Sequence, residues 1–286
     1  MPYNRKHTKK KVPLGHKITK VDKILMQYEL QTVCQNARCP NLDECFNAGT
    51  ATFLIMGNKC TRNCQFCAIT SGKPDALDPT EPERLADAAF QMNLRYVVIT
   101  SVTRDDLSDG GAEHFAQTIH AVHVKIPTTH IEVLVPDFQG NVKSLQTVID
   151  AKPDVFNHNI ETVPEKYSKV RPQANFEHSL EVLQTVKILA PNMITKSGMM
   201  VGVGEIQEQL IRTFKRLADA KIDILTIGQY FQADKALLPV EKYLSDEEFT
   251  VLRQLAQDSG IKYVVSGKYV RSSYKARNAF DSISDC

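Results

Sequence analysis

The chain has 286 residues, 42% of them hydrophobic and 24% charged, with a formal net charge of +2. That length suits one large domain with extensions and a substantial core, and the composition is that of a soluble globular enzyme. No stretch approaches 18 uninterrupted apolar residues, so no membrane span is expected.

Read in order, residues 1–23 hold eight Lys or Arg against the single acid Asp22, a local charge of +7 that leaves −5 for the rest. This composition reads as a basic, flexible arm, with docking of an acidic protein as a secondary reading. No interleaved aromatic ladder supports nucleic-acid binding. Lys dominates over Arg and Ser is absent, so the arm does not read as a transit peptide, and a cytoplasmic location is expected.

Residues 24–50 carry the first of two cysteine triplets, Cys34, Cys39 and Cys45, spaced C-x4-C-x5-C. Cys60, Cys64 and Cys67 follow as C-x3-C-x2-C. The count of seven cysteines is odd and no apolar secretory segment precedes the first, which argues for a reducing compartment and against disulfides. Zinc is a stronger rival, but structural zinc sites favour two C-x2-C-like pairs, and only Cys64 and Cys67 have that spacing. Three soft thiolates per triplet suit an iron–sulfur cluster with one iron left for another ligand. An electron carrier has no use for such an opening; a catalyst does.

Residues 51–262 alternate β-rich and helical patterns. The apolar runs are 52–56, 96–100, 131–135, 155–160, 194–201, 224–227 and 263–265. Amphipathic stretches between them include 112–124, with Phe115, Ile119 and Val122 on one face, and 208–221, with Ile211, Phe214 and Ala218. Thr80-Glu-Pro-Glu83 and Ser245-Asp-Glu-Glu248 read as capping boxes. The alternation predicts an α/β fold: an open, partial (β/α)6 TIM-like barrel with an N-terminal cluster-binding extension and a C-terminal extension, 263–286. In such folds the loops after the strands carry the chemistry. The second triplet lies in the first of those loops, whereas the first triplet must fold over the barrel to contribute.

C-x3-C-x2-C directly after a first barrel strand resembles the radical S-adenosylmethionine enzymes. Cys34-Gln-Asn-Ala-Arg-Cys39-Pro-Asn-Leu-Asp-Glu-Cys45 resembles the second-cluster motif of the lipoyl synthases. So do Thr100-Ser-Val-Thr-Arg-Asp-Asp-Leu107, Pro153-Asp-Val-Phe-Asn-His-Asn-Ile-Glu-Thr-Val-Pro164, Lys196-Ser-Gly-Met-Met200 and Arg271-Ser-Ser-Tyr274. The likeness runs from about Thr32 to Ala276. Phe46 and the segments 229–239 and 266–270 depart from the usual wording.

The resemblance implies two [4Fe–4S] clusters. One sits on Cys60, Cys64 and Cys67, with S-adenosylmethionine on its open iron. The other is an auxiliary cluster on Cys34, Cys39 and Cys45 with Ser273 as an oxygen ligand, dismantled as a sulfur source. The implied reaction inserts sulfur at C6 and C8 of an octanoyl-lysine on a lipoyl-carrier protein. The implied partners are that carrier, a ferredoxin or flavodoxin reductant and cluster-repair proteins. A biotin-synthase-like enzyme and a non-enzymatic iron–sulfur carrier or sensor are the alternatives.

Softer expectations concern the S-adenosylmethionine contacts. Phe66 packs near the adenine or simply packs the cluster loop. Gly110 and Gly111 present N–H groups to the methionyl carboxylate or are tight-turn glycines. Asn159 and Glu161 hydrogen-bond the ribose, or Glu161 pairs with Arg171. His158 is expected as a core support. Met199 and Met200 line a substrate channel or pack the core. Cys286 is expected as an uncommitted thiol.

Overall fold

The computed structural model describes residues 19–284; most of the basic arm and Cys286 lie outside that span. The described chain opens with α1 (Lys20–Gln27), β1 (Gln31–Thr32), α2 (Val33–Asn36) and α3 (Leu42–Asn47). Strand β2 (Thr52–Ile55) leads into two short strands, β3 (Lys59–Cys60) and β4 (Thr70–Ser71). Then come α4 (Glu81–Gln91), β5 (Tyr96–Ser101), α5 (Ala112–Lys125), β6 (His130–Leu134), α6 (Val142–Asp150) and β7 (Val155–Asn157). The rest comprises α7 (Tyr167–Val170), α8 (Phe176–Leu189), β8 (Ile194–Val201), α9 (Gln207–Asp219), β9 (Ile224–Gln229), α10 (Asp246–Asp258), β10 (Tyr263–Gly267) and α11 (Ala276–Ser284).

The main sheet runs β1-β2-β5-β6-β7-β8-β9-β10; every pairing is parallel except β1 with β2, and its two edges do not meet. The expectation of an open parallel α/β sheet therefore holds, but seven parallel strands form where six units were expected. The seventh is β10, within the segment 263–286 read as a C-terminal extension; it pairs with β9 from Tyr263↔Ile224 to Gly267↔Gly228. β2 and β9 are buried at every position, as strands covered on both faces must be. One apolar cluster packs Phe53, Ile99 and Ile131 against Phe115 of α5; another packs Leu225 and Ile227 against Phe214 and Phe249.

Two local expectations change. Ser245 forms its capping box with Glu248, but Thr80 does not: its hydroxyl donates to Asp78 at 2.7 Å. Glu81, the next residue, turns inward, accepting from the Met56 N–H at 2.8 Å and lying 2.7 Å from His114 Nε2. On α9 the buried stripe is Leu210, Phe214 and Leu217, one residue round from the predicted face, because Ile211 and Ala218 sit at its margin.

Helix α11 closes the N-terminal end of the sheet. Its Phe280 ring lies 4.5 Å from His130 and 5.7 Å from Tyr96, the first residues of β6 and β5. Just inside, Lys196 of β8 donates to both oxygens of Glu132 of β6, at 2.8 and 2.9 Å. Tyr96 and Asn157 add hydrogen bonds to the same carboxylate, so the buried Glu132 accepts four in all. The chemistry-bearing loops all emerge at the opposite end. No helix among the described residues is long and apolar enough to cross a membrane.

Candidate active site

The second triplet occupies the loop after β2. Met56 and Gly57, both at positive φ (66° and 89°), turn the chain out of the strand. β3 and β4 then pair across the base of the loop, Cys60 opposite Ser71. Arg62 holds the loop down, with Nε and Nη2 on Asp105 at 2.7 and 2.9 Å and Nη1 and Nη2 on Asp137 at 2.6 and 2.7 Å. Those carboxylates come from the loops after β5 and β6, so one guanidinium ties three loops together. Burial alone would raise the Asp137 pKa, but the Arg62 guanidinium holds it far below the usual carboxylate range. Cys60 Sγ accepts from the N–H groups of Arg62 and Thr103 at 3.4 and 3.3 Å.

The first triplet is brought over the sheet by β1. Its antiparallel register, Thr32 opposite Phe53, starts α2 directly beside β2 and buries Cys34. Cys39 N–H donates to Cys34 O at 2.9 Å, and Cys45 lies on α3. The far end of the chain fastens this extension. Asn41 Nδ2 donates to Tyr269 O and Tyr274 OH to Glu44 Oε1, both at 2.7 Å. Arg38 reaches Ala233 O at 3.2 Å and Asp234 at 3.0 Å.

Both triplets open onto one cavity of about 600 Å³, with Cys34, Cys39, Cys60, Cys64 and Cys67 in its wall. Cys45, on α3, is not among the residues of that wall. Strand ends from β2 through β9 contribute to the same space, so the open sheet curls around it. Phe66, Asn159, Glu161, Met199, Met200 and Ser273 face it as well. Gly110 and Gly111 do not: their N–H groups are spent on Leu107 O at 3.0 Å and Asp109 Oδ1 at 2.9 Å. They are turn glycines at φ 63° and 89°, packed against Phe138 and Met56 with no room for a Cβ.

Glu161 is held in a left-handed conformation (φ 65°) by two bonds to β8: its N–H donates to Gly198 O at 3.0 Å, and Met200 N–H donates to its carbonyl at 2.8 Å. Such a backbone persists only where its surroundings enforce it. The carboxylate accepts from Asn159 Nδ2 at 3.1 Å, and the Asn159 oxygen accepts from Ser272 Oγ at 2.8 Å. Burial raises the Glu161 pKa against the pull of Arg171. Arg171 forms no ion pair with Glu161; its Nη1 donates to Asn159 O at 3.1 Å and Tyr167 OH at 3.3 Å. His158 is a core support, with Nδ1 2.9 Å from Val135 O and Nε2 buried without a partner.

The donor set fits iron–sulfur clusters. All six described cysteines are free. Burial pushes Cys34 up to about 11 and Cys67 to about 12, and raises Cys64, so metal binding must displace protons from them. Peptide N–H groups already point at Cys60 sulfur, as they do around bound clusters. Among the described residues no three His, Cys, Asp or Glu side chains are placed to hold a single metal ion.

The Radical SAM superfamily matches residues 54–217, more than half of the chain. Lipoyl synthase from Caldanaerobacter subterraneus subsp. tengcongensis is 51% identical over 263 residues, covering 92% of each chain. Lipoyl synthase from Rubrobacter xylanophilus is 50% identical over 268 residues, covering 94% of this chain and 84% of that one.

The chain belongs to the lipoyl synthases.

Solved structures share the fold at low identity: methylornithine synthase superposes with a TM-score of 0.55 at 16% identity, covering 91% of this chain and 86% of that one. The membership carries with it a [4Fe–4S] cluster, S-adenosylmethionine and an octanoylated carrier as the family's working parts. It displaces the biotin-synthase-like and the carrier or sensor readings. As in any lipoyl synthase, the cysteines were the residues easiest to find. Arg62 and Arg171 were not singled out as site residues, although Arg62 sits inside C-x3-C and Asp105 and Asp137 each follow a strand. A basic residue between ligand cysteines, with acids in adjacent strand-end loops, was the available signal.

Proposed function

We propose that this lipoyl synthase inserts two sulfur atoms, at C6 and C8, into an octanoyl chain amide-linked to a lysine of a lipoyl-carrier protein. The observation that carries the reading is that both cysteine triplets open onto one cavity with largely apolar walls between them. Cys60, Cys64 and Cys67 would hold a [4Fe–4S] cluster that, with S-adenosylmethionine bound, would supply the radical chemistry needed to remove hydrogen from the chain. The sulfur donor, consumed as a substrate, is a second cluster on Cys34, Cys39 and Cys45 with Ser273 as its oxygen ligand.

The protein's part is to position and to exclude water. The Arg62 clamp fixes the cysteine loop. Phe66 covers the adenine side, and Asn159 and Glu161, aligned by Ser272, present their polar atoms to the ribose. Met199, Met200 and the ends of β5 and β6 confine the alkyl chain between donor and radical, where alignment contributes most to rate. Three thiolates and one alkoxide hold iron less firmly than four thiolates, which suits a donor that must come apart. A ferredoxin or flavodoxin would supply electrons, and cluster-assembly proteins would restore the donor, all in the cytoplasm.

The test is anaerobic: reconstituted protein, S-adenosylmethionine, a strong reductant and an octanoyl-lysine carrier peptide, followed by mass spectrometry. A peptide with two added sulfurs, and hydrogen lost from C6 and C8, is the expected product. If 5′-deoxyadenosine forms while the peptide is unchanged, the substrate is wrong. Ser272→Ala and Ser273→Ala, compared for iron retention, decide which serine is the oxygen ligand; Ser273→Ala should lose more.

A further inference from the structure

Three arginines line the cavity, and their charges are handled differently. Arg38 is paired with Asp234 at 3.0 Å. Arg171 spreads its donors over neutral oxygens of Asn159, Tyr167 and Ser179. Arg271 makes one hydrogen bond, from Nη1 to the carbonyl of its own neighbour Val270 at 2.6 Å. Among the described residues no carboxylate comes within ion-pair distance of it. A guanidinium has five N–H donors and keeps its charge in proteins, so a recessed one with a single backbone contact is incomplete without an anion.

Its surroundings nevertheless hold it in place. Gly228 of β9 leaves the space: a Cβ there would stand 2.1 Å from Val270 O and 3.2 Å from Arg271 Nη1. The Phe231 ring supports the guanidinium, with Cζ 5.3 Å from its centroid, and Tyr269 stacks on Phe231 at 5.7 Å. Phe231 and Tyr269 fall in the two C-terminal segments that depart from the family's usual wording. Among the described residues, the ionisable groups whose charge would act on Arg271 are Cys39 and Glu161.

The choice of anion is narrow. The octanoyl-lysine amide is neutral, and S-adenosylmethionine commits its carboxylate to iron at the second triplet. Three thiolates and a serine oxygen around a [4Fe–4S] core, by contrast, leave a net negative charge beside Cys39. We propose that Arg271 is the counter-cation of the sulfur-donating cluster, a positioning residue that balances its charge and raises its reduction potential, with Phe231 fixing its orientation. This rests on the two-cluster reading above.

The test separates the clusters. In full-length protein with Cys60, Cys64 and Cys67 replaced by Ala, iron is held by the first triplet alone. Arg271→Gln should shift that cluster's midpoint potential to more negative values and speed iron loss to a chelator about tenfold. Arg271→Lys should restore most of both, and Phe231→Leu should give a smaller shift of the same sign. In the reciprocal protein, with Cys34, Cys39 and Cys45 replaced, Arg271→Gln should leave the remaining cluster's potential unchanged. A shift there alone, or no shift in either protein, overturns the proposal. Iron content of the unsubstituted chain is read first: one cluster per chain instead of two removes the underlying reading, a different failure from an unmoved potential.

Discussion

Gly198, on β8, has no side chain, and three polar groups, from Ser272, Asn159 and Thr226, crowd the space it leaves. A Cβ there would stand 2.3 Å from Ser272 Oγ and 2.6 Å from Asn159 Oδ1. Neither short side chain has a flexible end to swing away. Gly198→Ala should therefore break the Ser272–Asn159 bond, turn the Asn159 amide from Glu161, and weaken S-adenosylmethionine binding at least tenfold, measured by calorimetry on the reconstituted protein. Wild-type affinity would detach that triad from the nucleoside. His158 offers a pH-dependent counterpart. Burial, with Arg171 adding to it, lowers its pKa from 6.5 to about 4. The unfolded chain binds this proton first as pH falls, so the stability it contributes is complete above about 6.5 and is lost toward 4. Between pH 7.5 and 5 the loss should be about 2 kcal/mol. His158→Gln should flatten that part of the denaturation profile; parallel wild-type and variant profiles would place the effect elsewhere.

At the scale of elements, α11 is the piece whose role was least visible in the sequence. Its Phe280 packs on Tyr96 and His130, 184 and 150 residues upstream, and the contact has no signature in spacing or periodicity. Phe280→Ala removes a nearly buried ring from that end of the sheet and should cost about 3 kcal/mol in chemical denaturation. A loss under 1 kcal/mol would make the helix a passenger. Other elements could be read ahead. The seven apolar runs became the seven parallel strands, because burial on both faces leaves a continuous apolar signal. Ser245 declared its own cap. Thr80 misled because Asp78, two residues earlier, competes for the same hydroxyl. The α9 face came out rotated because Ile211 and Leu210 are equally apolar, and only packing against β9 distinguishes them.

At the scale of the whole molecule, the cysteines announced the donor atoms, but not that both triplets share one cavity. That depends on β1 pairing with β2 and on Asn41, Glu44 and Arg38 reaching the C-terminal half, contacts between residues about 200 positions apart. Gly110 and Gly111 illustrate the converse: a glycine pair suggests an anion cradle, yet its N–H groups were already committed within the turn. The basic arm belongs to this scale too. Deleting residues 1–18 removes a concentrated positive charge and should weaken affinity for an acidic carrier domain, more at 50 mM than at 300 mM salt. An identical salt dependence with and without the arm would end that idea.

The fastening of the first triplet has one more consequence, for how the protein comes into being. Its cysteines are made early, but Tyr269, Tyr274 and the serines between them follow some 230 residues later. Until then a growing chain holds only half of that seat, whereas the second triplet has its clamp partners Asp105 and Asp137 once residue 137 is added. The second triplet's clamp can thus close on a growing chain before the first triplet's seat can, while the Ser272–Asn159 bond waits for the same late segment.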